Sequence, residues 1–414
     1  MKQVYLLFTL LISASLFSQE VVTQKVNSKE LGKDRNIKVY LPKGYDVDET
    51  TNYPLAIVLG DEYLFDLYVG NAKLYANVDK APRQIVVGID MKNTYGKDIS
   101  IIPSNNSLTS SGVHFFNFIK HELIPFMEGN FRTSPFMTIV GEGKAANFIT
   151  HYLKDEKPVF NSYICITPDF PQFAPAIMES YSLNRLGSID NTYFLYTSNN
   201  KKYIDTNQYN RFSDIRTLLT SYEAKNFNVI FDEFDSSPSY LAMIGETIPR
   251  AFTQMFSLYS KITKEEYEAN VKDLAPLDAI KYVEKKYLDI QYLYGSNLNV
   301  RLDDIFVIED IVIDRQDGDY LRVLGDFVMI KYPDSHMGDF YIGKYHELGK
   351  DYEKADFYYK AAYGKMDPSD PNANAFYENI KRVNDLMGSK KKEEIKTKTN
   401  DEEIIEKQDE EGQE

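Results

Sequence analysis

Between residues 36 and 234, short runs rich in apolar, β-branched and aromatic residues alternate with longer stretches whose apolar residues recur at helical spacing. The runs are NIKVYLP (36–42), YPLAIVLG (53–60), RQIVVGID (83–90), FMTIVG (136–141), NSYICITP (161–168), NTYFLYT (191–197) and FNVIFDEF (227–234). Several show no polar alternation, which is the pattern of strands covered on both faces. Between them, GVHFFNFIKHELIPFMEGNF (112–131) puts Phe115, Phe118, Ile119 and Leu123 on one stripe of a helix. The alternation predicts an α/β domain over residues 20–258, with a mostly parallel sheet and helices on both faces.

Past about residue 260 the pattern becomes mainly helical, and a helical region is expected over 259–388. GDFYIGKYHELGKDYEKADFYYKAAYGKMDP (338–368) carries Leu348, Gly349, Tyr352, Ala355, Tyr359 and Ala362. This is similar to a tetratricopeptide repeat, in which small residues let two antiparallel helices approach. A weaker repeat precedes it over 301–335, around Gly318, Tyr320 and Phe327. So few repeats do not make a stable solenoid, so this region must pack on the main domain or on a partner. The tail 389–414 is almost all charged and polar, and is expected to stay disordered.

The N-terminus adds a targeting signal. Lys2, an apolar core from Val4 to Ile12 and small residues from Ser13 to Ser18 read as a signal peptide over 1–19. The core is too short to span a membrane, although an uncleaved anchor is the alternative. With one cysteine, Cys165, an internal disulfide and cysteine zinc sites are ruled out. An exported, periplasmic or extracellular, protein follows. The formal charge of −15 argues against nucleic acid or anionic lipid as partner. The 32 Tyr beside no Trp have no explanation in the sequence.

The stretch TIVGEGKAANFI (138–149) reads strand, tight turn, helix. GEGKAA satisfies a dinucleotide fingerprint, but that fingerprint opens the first βα unit of its domain, and its acidic partner is badly placed at Asp169. A P-loop would need Gly at position 138 and Ser or Thr at 145, which hold Thr138 and Ala145. The remaining candidate is a nucleophile elbow.

KDRNIKVYLPKGYD (33–46), YPLAIVL (53–59), IVVGI (85–89), SSGVHFFNFIKHELIPFMEGNFRTSP (110–135) and VFNSYICITPDF (159–170) resemble, in order, the putative-esterase family of enterochelin-esterase-like and esterase-D-like α/β-hydrolases. The resemblance covers roughly residues 28–256 and implies an α/β-hydrolase fold. Family members carry G-H-S-L-G-G at the elbow, where this chain reads Gly141-Glu142-Gly143-Lys144-Ala145-Ala146. The nucleophile position is therefore Gly143, which has no side chain to acylate. The family histidine lies in a segment like H-x-S-V, whose counterpart FDEFDSSPSYLAMIG (231–245) has none, and no histidine occurs between His151 and His336. The acid should follow the penultimate strand, where FLYTSNN (194–200) offers Ser198, Asn199 and Asn200.

A Ser-His-acid machine works as a unit, so the expectation is a non-catalytic homologue kept for binding. Its partner would be another envelope protein met through the helical region, or a ligand in the former cleft, with Gly60, Asp61, Glu142 and Lys144 as candidate ligand-binding residues. No cofactor and no metal is expected. The alternative is an active ester hydrolase with relocated residues. Glu142 and Lys144 read more simply as a solvated ion pair at a helix start. Asp61 and Glu62, in the segment that builds the oxyanion hole in active relatives, bring negative charge where an oxyanion would form. His114 and His121 fall on one helical face without a third ligand, His151 reads as packing, and Cys165 as core.

Overall fold

A computed structural model describes residues 20–314, 318–367 and 369–411, and side chains up to residue 392 apart from that of residue 314. The expected signal peptide lies outside the described residues. The chain divides into two compact units: residues through Lys261 together with Leu288–Leu298, and Ile262–Tyr287 together with Asn299–Glu414. The first boundary falls close to the expected one. The return of 288–298 to the first unit was not legible in sequence. Tyr294 explains it: its ring packs on Phe136 and Phe256 at 5.1 and 5.5 Å, and its hydroxyl donates to the Met255 carbonyl at 2.6 Å.

The first unit is built on an eight-stranded sheet in the order β1-β2-β4-β3-β7-β8-β9-β10. The strands are β1 (Val21–Val26), β2 (Arg35–Tyr40), β3 (Tyr53–Leu59), β4 (Ile85–Ile89), β7 (Thr133–Glu142), β8 (Ser162–Ile166), β9 (Tyr193–Asn199) and β10 (Phe227–Glu233); β5 (Ile101–Ile102) and β6 (Ser107–Leu108) form a separate hairpin. All seven predicted runs are strands. β1 was not foreseen, being polar over Thr23 to Lys25 as an exposed edge strand is. β2 is antiparallel to β1 and β4, and every pairing from β4 to β10 is parallel.

Every residue of β3 and β8 is buried, so both faces of the central sheet are covered. One face, with Leu55, Ile57, Leu59, Ile139 and Cys165, packs with Phe115, Phe118, Phe148 and Ile149. On the other, Ser162 and Ser198 meet Met255 and Thr247 of the helix Tyr240–Met255. The predicted helix over 112–131 is one helical path, Ser110–Asn130, interrupted by a π-turn at Phe118–Leu123.

The second unit is helical. Within it, Ala355 and Tyr359 of the helix Tyr352–Gly364 pack with Ile380 and Val383. A Cβ on Gly343 would stand 2.7 Å from the Tyr359 ring, so this glycine sets how closely the helices His336–Leu348 and Tyr352–Gly364 approach. Ala362 is buried as well, whereas Leu348 is exposed. The tail differs from expectation. Instead of beginning a disordered segment at Ser389, the chain continues as one helix from Ala373 to Glu411. Helix hydrogen bonds close within the segment and need no burial, and its Lys and Glu residues are good helix formers.

Candidate functional site

β3 leads to β4 on one side, and the chain later returns to β7 on the other, so the order in which strands are added reverses beside β3. In open α/β sheets the crevice outside the carboxyl ends at such a point is where ligands bind. Two turns meet there, because Leu59 and Gly141 are paired across β3 and β7. Gly60, at φ +134°, leads into the helix Glu62–Asn77, and Gly143 leads into the helix Lys144–Thr150.

Gly143 has φ +56° and ψ −117°, a combination that L side chains rarely adopt. Backbone hydrogen bonds hold it on both sides. Its N–H donates to the Ile166 carbonyl at 2.9 Å, and its carbonyl accepts from Asp169 at 2.9 Å and Asn147 at 3.3 Å. A Cβ here would meet nothing within 4 Å, so the residue faces open space. Gly141 is different: a Cβ there would lie 2.6 Å from the Ala145 carbonyl carbon and 2.8 Å from the Ala146 nitrogen. It lets the helix sit directly on the strand. This is a sharp strand–turn–helix corner that presents residue 143 at the top of the sheet.

The residues beside Gly143 do not form the expected ion pair. The Glu142 carboxylate accepts hydrogen bonds from Tyr63 and, at 2.6 Å, from Tyr240, while Lys144 is exposed. Tyr240 also meets the Thr167 hydroxyl at 2.9 Å and the Tyr203 ring edge-on at 5.9 Å. Burial raises the Tyr63, Tyr95 and Tyr240 phenols above their ordinary range, and the Glu142 charge raises them further. Asp61 adds to this for Tyr63 and Tyr95. Two phenol donors on one carboxylate satisfy Glu142 better than one mobile lysine in water does.

Of the four candidate residues, Gly60, Asp61 and Glu142 are thus gathered around Tyr63, and Lys144 stands apart. Tyr63, Tyr95, Thr167 and Tyr240 were missed. A signal existed for Tyr240, the aromatic residue standing in the segment that aligns with the family's histidine. For the others only the excess of tyrosine hinted at a role.

A cavity of about 630 Å³ opens beside this cluster, lined by Gly60, Asp61, Glu62 and Tyr63, by Lys38 and by Asp90–Lys92. Ile37, Val58, Phe65 and Ile89 supply its apolar wall. The wall at 90–92 is anchored by Arg35, which is almost wholly buried. Arg35 donates to the Asp90 carbonyl at 3.0 Å, to Thr94 at 2.7 Å, and to both carboxylate oxygens of Asp98 at 2.7 and 3.1 Å.

The histidines lie elsewhere. His151 is buried, with Nε2 donating to the Asn106 carbonyl at 2.7 Å, and burial lowers its pKa. His114 pairs with Glu30 at 3.1 Å. His121 lies within the π-turn itself. Among the described residues no histidine is hydrogen-bonded to a Ser or Thr hydroxyl, and no group of three His, Cys, Asp or Glu could hold a metal ion. Cys165 is fully buried on β8, and burial pushes its thiol pKa up. No described helix is long and apolar enough to cross a membrane.

A mostly parallel sheet, a sharp turn after its central strand and a helix starting there make up the α/β-hydrolase fold. Residues 28–164 match the model of the Putative esterase family. An uncharacterised protein from Capnocytophaga ochracea superimposes with a TM-score of 0.76 at 22% identity, over 88% of this chain and 99% of its own. An IroE-like serine hydrolase from Shewanella oneidensis gives 0.54 at 16% identity, over 74% of this chain and 98% of its own. No curated protein matches the sequence.

Proposed function

We propose that this chain is an exported, non-catalytic member of the esterase family, which uses the crevice at the carboxyl ends of β3, β4 and β7 to bind a ligand in the periplasm. The observation that carries the reading is residue 143. The elbow's backbone is kept, held by three hydrogen bonds, yet the side chain it would present is missing. An L side chain in this conformation would be strained by about 1–3 kcal/mol, whereas glycine adopts it freely. The tetratricopeptide-like helices of the second unit supply a surface for an envelope protein in the same reading.

The segment that aligns with the family's histidine contributes Tyr240 instead, and at the acid position Ser198 is spent on Thr247 at 2.9 Å. Export rests on the pattern of residues 1–19.

One observation favours a working hydrolase with relocated residues. Thr167, Tyr240 and Glu142 form a hydrogen-bonded chain of hydroxyl, phenol and carboxylate. For Thr167 to attack an ester, Tyr240 would have to take its proton as a phenolate. Burial and the Glu142 charge both oppose that ionisation. The chain therefore holds its protons at neutral pH, and the non-catalytic reading is preferred.

The test is p-nitrophenyl butyrate hydrolysis by the purified protein, with fluorophosphonate labelling read by intact mass. No turnover above the buffer rate and no adduct are expected, also in Gly143→Ser, which regains a hydroxyl but no base. Turnover abolished by Thr167→Val would overturn the proposal.

A further inference from the structure

The helix Ala373–Glu411 of the second unit outruns the helix it packs on. Ile380 and Val383 pack with Ala355 and Tyr359 of the helix Tyr352–Gly364. Met387 lines one pocket with Tyr352, where that neighbouring helix begins. From Met387 the chain continues as helix to Glu411, about 36 Å further at 1.5 Å per residue.

Two features of this length point to a partner. The first is how its charge is divided. Residues 390–398 hold five lysines and two glutamates, whereas residues 401–411 hold seven carboxylates and one lysine. The carboxylates stand at the end where the helix dipole disfavours them, and the last turn carries no basic residue. A positive surface alongside would offset that.

The second feature is periodic. Positions 391, 395, 398, 402, 405 and 409 follow one another at alternating steps of four and three, the a/d stripe of a coiled coil. They hold Lys391, Ile395, Lys398, Glu402, Ile405 and Asp409. Laid beside a second copy running the other way, with the two-fold axis level with residue 400, this stripe matches itself. Position 391 falls opposite 409, 395 opposite 405 and 398 opposite 402. Lysine then meets carboxylate and isoleucine meets isoleucine, each pairing occurring twice. On the flank, position 392, a lysine, falls opposite 406, a glutamate. Asp401 faces its own copy across the axis, a like-charge approach. Parallel copies in register would instead set Lys391, Lys398, Glu402 and Asp409 each against itself.

We infer that this protein self-associates through residues 391–409, two copies forming an antiparallel pair of helices. The stripe is self-complementary, as a two-fold interface has to be. Two isoleucines per helix and ion pairs open to water make the pairing weak, concentration-dependent and sensitive to salt. The inference is independent of what the crevice in the first unit binds.

Sedimentation velocity of the full-length protein at low ionic strength should show a dimer fraction that rises from micromolar to submillimolar concentration. At about 1 M salt, where the screening length falls to about 3 Å, that fraction should drop several-fold. Lys391→Glu/Lys398→Glu and Glu402→Lys/Asp409→Lys should each be monomeric over the same range. Their equimolar mixture should recover the dimer, because the two reversed stripes match each other. Asp401→Asn should raise the dimer fraction by removing the like charge at the axis. Thr399→Cys, level with its own copy beside the axis, should give a disulfide-linked dimer on mild oxidation, Cys165 being fully buried.

A monomer at every concentration, a dimer unmoved by both charge reversals, or a mixture no more dimeric than its parts would overturn the inference.

Discussion

Replacing Arg35 by Met removes a guanidinium that makes four hydrogen bonds to three partners while 4% exposed. The Arg35 and Asp98 side chains are only 5% and 6% exposed, and their contact is bidentate, at 2.7 and 3.1 Å. Met fills most of the volume, so little of the loss comes from a cavity. What remains is the Asp98 carboxylate, buried and left with Thr94 as donor at 2.6 Å. Breaking a buried pair from one side costs about 3–5 kcal/mol. At about 2–4 °C per kcal/mol for a domain of this size, the melting temperature should fall by about 6–20 °C. The double variant Arg35→Met/Asp98→Leu should recover most of that, because no charge is then stranded. The assay is urea and thermal unfolding followed by near-UV circular dichroism, where a protein with 32 Tyr and no Trp reports through tyrosine. Loss of less than about 1 kcal/mol in the single variant, or losses that simply add in the double, would refute the argument.

Two further substitutions test the corner and the buried imidazole. Gly141→Ala should destabilise by about 1–3 kcal/mol, because the new methyl meets helix backbone that has no flexible end to yield; Gly143→Ala meets open space but puts an L residue at φ +56°, a strain of about 1–3 kcal/mol, and wild-type stability of either variant in thermal melts would count against the elbow geometry. The buried His151 has its pKa below the ordinary 6.5, so the unfolded chain binds the proton more readily. Stability should therefore decline as pH falls below about 6.5, levelling off once the folded-state value is passed, and His151→Gln should flatten that part of the urea-midpoint profile.

Where function is concerned, sequence and fold divide the work unevenly. The hydrophobic runs fixed seven strands and their order of appearance, because a strand buried on both faces has to be apolar throughout. The glycines of 141–143 and the empty nucleophile position were equally legible, since a missing side chain is a fact of sequence. For the charged tail, low hydrophobicity argues against burial and says nothing against a helix that closes its own hydrogen bonds.

Only the tertiary structure could show what replaced the expected chemistry. Tyr63 follows β3, Glu142 ends β7 and Tyr240 opens the helix after β10, so nothing local ties them together. Their hydroxyls and carboxylate meet because parallel strands deliver every carboxyl end to the same edge of the sheet. The same geometry parted Glu142 from Lys144, since Glu142 ends the strand and Lys144 begins the helix on the other side of the Gly143 turn. The sequence by itself determined the scaffold and the absence at Gly143; the crossing of distant strand ends decided that a tyrosine-walled crevice stands beside it.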